Sequence, residues 1–109
     1  MNRPQAQLKI RISQGKTVAM GPGKADLLEA IISCGSISSA AKQMKMSYKR
    51  AWDLIDELNK SFNQPLVMTS PGGKHGGGAK ITEFGQYILD NYRSLIAKTY
   101  HVAEAELIN

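Results

Sequence analysis

One cysteine, Cys34, stands in a chain of 109 residues, so no intrachain disulfide forms. His75 and His101 are the only histidines, and Cys and His at zinc-finger spacing are therefore absent. A structural zinc is excluded, and neither a metal nor another cofactor is expected. Long apolar runs are also lacking: no stretch approaches the ~18 residues that a membrane helix requires. Met1 to Gln7 is polar, with no apolar stretch behind a basic start as a secretory leader would have. The expectation is a cytoplasmic protein that contacts no membrane. No catalytic set emerges either. Asp53, Asp56 and Glu57 fall on one helical segment and read as a solvated face, and neither histidine has an obvious nucleophile near it in sequence. An enzyme is not expected. Cys34 closes the apolar run Leu27 to Cys34, which points to a buried structural thiol, and no repeat at solenoid periods is visible.

What is present is one domain's worth of chain, with 42% hydrophobic and 21% charged residues, the balance of a globular protein. A single domain over 1–109 is expected, with no room for a second ligand-binding module. The net charge of +5 is unevenly spread. Met1 to Thr82 carries 12 Lys and Arg against 5 Asp and Glu, whereas Glu83 to Asn109 carries 2 against 4. Ser36 to Trp52 holds Lys42, Lys45, Lys49 and Arg50 without one acid, and Leu58 to Thr82 holds Lys60, Lys74 and Lys80 without one. Such a surface attracts phosphate backbones, acidic proteins or anionic lipid.

The order of elements narrows that choice. Leu8 to Ser13 alternates apolar and polar residues, and after Gln14-Gly15-Lys16 a second strand over Thr17 to Met20 completes a hairpin, 8–20. Three helices are predicted over 22–62. Pro22 opens the first, Leu27, Leu28, Ile31 and Ile32 recur along it, and Gly35 stops it. Ser36 caps the second, whose narrow stripe is Ile37, Ala40, Ala41 and Met44; its alanines permit close approach. Ser47 caps the third, which runs to about Phe62 with Ala51, Trp52, Leu54, Ile55 and Leu58 as apolar positions. The last two helices meet across a short turn, so 36–62 reads as a helix-turn-helix. Gln64-Pro65 ends it. Leu66 to Thr69 and Lys80 to Thr82 then form a two-stranded wing, 66–82, whose tip is the glycine-rich Pro71 to Ala79. A last helix, 83–108, carries Phe84, Ile88, Tyr92, Leu95, Thr99 and Val102 on one stripe, with Ile96 and Ala103 beside it. The fold class is mainly α with small β, a winged helix-turn-helix.

Candidate contacts follow from that architecture, in which the second helix of the pair enters the major groove of DNA. Ser47, Tyr48, Lys49 and Arg50 lead that helix, and Asp53 lies one turn on, able to accept from cytosine N4 or to orient Arg50. Trp52 reads as a packing residue and is left out of the site. Lys74, His75 and Lys80 belong to the wing, where glycines let the backbone approach phosphates. The loop is not a nucleotide cradle, because Lys74 is followed by His75 and the chain leads on into a strand. Ile88, Tyr92, Leu95, Ile96, Thr99 and Val102 form a face suited to pairing with a second copy. A symmetric dimer sets two recognition helices about 34 Å apart and reads an inverted repeat.

The runs Gly35-Ser36-Ile37-Ser38-Ser39-Ala40-Ala41-Lys42, Met46-Ser47-Tyr48-Lys49-Arg50-Ala51-Trp52, Asp56-Glu57-Leu58-Asn59, Gly72-Gly73-Lys74-His75-Gly76-Gly77-Gly78-Ala79 and Thr82-Glu83-Phe84-Gly85 closely resemble the N-terminal DNA-binding domain of the ModE family of bacterial molybdate-responsive regulators. A weaker likeness to LysR-type regulators is confined to Ser36 through Leu58 and Thr82 to Gly85. The resemblance implies a dimeric winged helix on operator DNA, with Ser47, Tyr48, Lys49 and Arg50 on the recognition helix. It also implies Ser36 and Ser38 at the phosphate-facing start of the preceding helix, and Lys74, His75 and Lys80 on the wing. Full-length members of that family sense molybdate through C-terminal domains, and a chain ending at Asn109 is expected to hold no molybdate site. The expected function is sequence-specific binding of double-stranded DNA in transcription regulation, with control by a separate regulatory protein left open. The competing readings are a protein-interaction module and a nonspecific nucleoid-associated protein on the same fold.

Overall fold

A computed structural model describes residues 3–71 and 78–108. Its elements follow in the order β1 (Ile12–Gln14), β2 (Thr17–Met20), α1 (Pro22–Cys34), α2 (Ile37–Gln43), α3 (Tyr48–Ser61), β3 (Val67–Thr69), β4 (Ala79–Ile81) and α4 (Glu83–Leu107). Local signals account for most boundaries. Pro22 opens α1, where its missing N–H costs nothing, and Gly35 closes it in the left-handed region with φ 75°. The Ser36 side chain accepts from the Ser39 amide, Ser47 from the Arg50 amide and Thr82 from the Gly85 amide, so α2, α3 and α4 each begin on a hydroxyl cap.

The core lies where α1, α2 and α3 converge. Leu27, Leu28 and Ile31 meet Ile37, Ala40 and Ala41 of α2 and Ala51, Leu54, Ile55 and Leu58 of α3, and the wing contributes Leu66, Val67 and Ala79. Burying each large aliphatic side chain stabilises the fold by about 1.5–3 kcal/mol. β3 and β4 pair antiparallel with Val67 opposite Ile81 and Thr69 opposite Ala79. The wing root is tied to α3 through Asn59, whose Oδ1 accepts from the Leu66 amide at 2.8 Å and whose Nδ2 donates to the Val67 carbonyl at 3.0 Å. The root is tied to α4 through the Thr82 hydroxyl, which donates to the Pro65 carbonyl at 2.8 Å. Gly85 lets α4 pass close to that root: a Cβ there would collide with the Leu66 carbonyl and lie 2.7 Å from Ile81 Cγ1.

Four expectations are corrected. The first strand does not run from Leu8; it is confined to Ile12–Gln14 and its register shifts between Ile12 and Ser13. The backbone ahead of it bonds to α4 instead of to β2, since the Ile10 carbonyl accepts from the Tyr92 hydroxyl at 2.7 Å and the Leu8 amide donates to the Tyr100 hydroxyl at 3.2 Å. Ile32, in the last turn of α1, is 47% exposed. Cys34 is half-buried at the end of α1, its thiol donating to Gln43 Oε1 at 3.0 Å. Trp52 is 47% exposed and does not pack into the core. No helix is long and apolar enough to cross a membrane among the described residues.

Candidate nucleic-acid interface

The turn between α2 and α3 sets the angle of the helix pair. The Met46 amide donates to the Ala41 carbonyl at 3.0 Å and the Lys45 amide to the Lys42 carbonyl at 3.1 Å, with Lys45 at φ 57°. These are the two bonds of a Schellman ending, with lysine where glycine is usual. The chain re-enters a helix at Ser47 immediately afterwards, so α3 starts at the surface with its first turn uncovered.

Ser47, Tyr48, Lys49 and Arg50 are all exposed there, Tyr48 by 56%. Four residues of α3, namely Ala51, Leu54, Ile55 and Leu58, face the core, which leaves Lys49, Asp53, Asp56 and Lys60 on the opposite side by helical periodicity. Lys49 Nζ lies 3.0 Å from Asp53 Oδ2 and Lys60 Nζ 2.7 Å from Asp56 Oδ2. The hydrogen bond to Asp56 holds the Lys60 ammonium above the ordinary lysine range. Asp53 is thus engaged by Lys49, where the sequence offers cytosine N4 or Arg50 as its partner.

Arg50 and Glu57, seven apart and so on one flank of α3, turn toward the N-terminal hairpin and line a cleft with Lys9, Arg11 and Lys16. Trp52 and Asn59, also seven apart, occupy the other flank, and Asn59 bonds to β3. α3 therefore lies between two small β-hairpins. Ser36 is half-buried with its oxygen accepting from the Ser39 amide at 3.2 Å, and Ser38 is exposed one residue into α2. Lys80 is exposed on β4, whereas Lys74 and His75 lie outside the described residues. At the base of the wing tip, the Ser70 amide donates to the Gly78 carbonyl at 2.9 Å.

The face assigned to α4 is divided. Tyr92 is buried in the chain's own core, and Ile88 and Ile96 pack partly against that core. Leu95 and Val102 are exposed and Thr99 is half-buried. Arg93 fixes the helix to α1, with its Nε 2.8 Å from Glu29 and its Nη2 2.8 Å from Asp26. The Glu29 and Asp26 hydrogen bonds outweigh desolvation and raise the guanidinium above its usual value.

Two features escaped the sequence reading. Trp52 sits beside the core stripe rather than in it; residues 51, 54, 55 and 58 already complete a helical face that excludes position 52, and that spacing was the available signal. The convergence of Lys9, Arg11 and Lys16 on α3 had no local signal, because it depends on where the hairpin docks. Among the described residues no group of three or more His, Cys, Asp or Glu is placed to hold a metal ion.

Residues 24–86 match the family of bacterial regulatory helix-turn-helix proteins, lysR family. The molybdenum-pterin-binding protein MopA of Rhodobacter capsulatus is 38% identical over 92 residues, 84% of this chain and 35% of that protein. The transcriptional regulator ModE of Haemophilus influenzae is 35% identical over 112 residues, 99% of this chain and 43% of that protein. The molybdenum transport protein ModE of Azotobacter vinelandii is 46% identical over 77 residues, 71% of this chain and 28% of that protein. The chain thus spans between 28% and 43% of the length of these relatives, two of which bear the name of the ModE family that the sequence resembles. Two solved structures share the fold. The full-length LTTR LysG from Corynebacterium glutamicum with bound effector Arg has a TM-score of 0.56 at 22% identity, covering 79% of this chain and 28% of that one. ArgP from Mycobacterium tuberculosis has a TM-score of 0.54 at 19% identity, covering 78% and 30%.

Proposed function

The chain belongs to the lysR family of bacterial regulatory helix-turn-helix proteins, and from that premise we propose that it binds operator DNA as a homodimer and regulates transcription. The observation that carries this reading is the uncovered, acid-free leading end of α3, where the cap residue Ser47 and, after it, Tyr48, Lys49 and Arg50 stand exposed. A helix presented in that way fits the major groove of B-DNA with its first turn against base edges. Tyr48 and the Lys49–Asp53 pair carry the base reading. Ser38 at the start of α2 and Lys80 on the wing supply phosphate contacts that set register. The ModE of Haemophilus influenzae, whose name describes a transcriptional regulator, supports the same role.

Dimerisation is supported by α4. Its buried residues, Gly85, Leu89 and Tyr92, all fall in its first ten positions, and Leu95, Val102 and Leu107 are exposed beyond them. A second copy laid against the face of Leu95 and Val102, seven residues apart, would bury that pair and give the two α3 helices a twofold relation. The expected site is an inverted repeat with half-sites one helical turn apart.

Selection of bound duplexes from a random library tests this directly. The expected product is a palindromic motif, bound more tightly than a scrambled duplex by the ~10³-fold or more typical of specific recognition. Equal affinity for every duplex would favour the nucleoid-associated alternative, and no duplex binding in dilute buffer would end the reading.

A further inference from the structure

On the flank of α3 away from the wing, Lys9, Arg11 and Lys16 from the N-terminal segment, Lys24 from α1 and Arg50 from α3 line a single cleft of about 540 Å³. Glu57 is the one carboxylate among its lining residues. It lies 2.8 Å from Lys24 Nζ, and Lys24, 5% exposed, also donates to the Val18 carbonyl. That pair is internally neutral and belongs to the packing of α1 on β2 and α3. The remaining four cations, Lys9, Arg11, Lys16 and Arg50, are exposed and hold no ion pair among the described residues. Like charges gathered without a counter-charge are unfavourable until an anion joins them. α1 starts in the same cleft, and its first turn contains no acid and no side-chain cap.

Arg50 joins this cleft to the leading end of α3, so the cationic surface is continuous with the face proposed to meet DNA. Lys9, Arg11 and Lys16 lie outside residues 24–86, the span matched to the family. The hairpin therefore lies outside that matched span, at the edge of α3. We propose that this cleft is a second phosphate-binding surface, in which Lys9, Arg11, Lys16 and Arg50 grip the DNA backbone beside the groove that α3 enters, opposite the wing. The inference rests on the DNA-binding reading above. The chemistry recognised is a phosphate oxyanion, and the source is the duplex backbone, because all four cations are exposed and Arg50 stands in the first turn of α3, the end proposed to meet DNA.

The test is the salt dependence of binding to a 30-base-pair mixed-sequence duplex, followed by fluorescence anisotropy, for the full chain and for the triple variant Lys9→Gln/Arg11→Gln/Lys16→Gln. Each lost phosphate contact lowers the slope of log K against log[salt] by ~0.9. The variant is expected to flatten the slope by about 2 to 3, with unchanged circular dichroism and thermal midpoint, and to keep the wild-type preference for a selected site over a scrambled one. Lys98→Gln, which removes a positive charge from α4, is expected to leave the slope alone. A variant slope equal to wild type overturns the proposal, as does an equal loss per charge from Lys98→Gln. Titration with inorganic phosphate at constant ionic strength is the second arm: saturable binding abolished in the triple variant, with the duplex slope unmoved, assigns the cleft to a free anion and overturns the DNA version. If the wild-type chain binds no duplex, the parent reading falls; if it binds and the variant matches it, this inference alone falls.

Discussion

Lys45 is the single non-glycine residue among the described residues with a left-handed backbone, φ 57°. An L-residue in that region costs about 1–2 kcal/mol, and glycine, which avoids that cost, loses roughly 0.5–1 kcal/mol more in backbone freedom on folding. Lys45 is exposed, with no packing to lose. Lys45→Gly is therefore expected to stabilise the fold by roughly 0.5–1 kcal/mol in urea unfolding, the difference between those two costs. Lys45→Ala, which retains the strain, is expected to change stability little. A destabilised glycine variant would show that the lysine side chain supports the turn. At this scale the sequence was readable wherever the deciding contact lies within a few residues. Ser36, Ser47 and Gly35 could be assigned as caps because each bonds to an amide or carbonyl three or four positions away. The left-handed turn at Lys45 could not, since neither glycine nor asparagine marks it.

α4 and the segment that crosses it make the case at the scale of elements. Tyr92 lies among the apolar positions of α4, yet its hydroxyl reaches 82 residues back to the Ile10 carbonyl. Burial pushes this phenol above its ordinary value of 10.0, with the neighbouring Arg93 pulling weakly the other way. The folded chain thus holds the Tyr92 proton more tightly than the unfolded chain. Its contribution to stability is complete below pH 10.0 and is lost as pH rises through the folded-state value. Tyr92→Phe is expected to cost about 0.5–1.5 kcal/mol at pH 7 through the lost hydrogen bond and to flatten the fall in stability at alkaline pH. Chemical denaturation at pH 7 and pH 10.5 compares the two chains; identical alkaline slopes would place the proton dependence elsewhere. The wing follows the same logic of distant partners. Its strands were apparent from composition, but its attachment through Asn59 on α3 and Thr82 ahead of α4 depends on elements that meet only in the folded chain.

The whole molecule is elongated, 55 × 34 × 25 Å, because α4 runs for 25 residues, about 37 Å at the helical rise of about 1.5 Å per residue. Its buried residues all lie in its first half. If two copies pair through the outer half, Leu95→Glu/Val102→Glu is expected to yield a folded monomer, since both side chains are exposed in the single chain. Its affinity for the inverted repeat should fall by ~100-fold or more as the linkage of two half-sites is lost. Sedimentation equilibrium and anisotropy on the same samples check this. A wild-type chain that sediments as a monomer at micromolar concentration would remove the twofold arrangement and leave one α3 per binding event.

Periodicity and caps were enough to determine the order of elements, the helix-turn-helix and the uncovered start of α3, because those features depend on contacts within one turn or on a spacing repeated along the chain. Tertiary structure alone decided that Arg50 turns to the hairpin, that Tyr92 is held by its own N-terminal segment and that three distant cations gather beside α3. Each of these depends on which face of one element another element covers, and that choice is made by close packing among residues far apart in sequence.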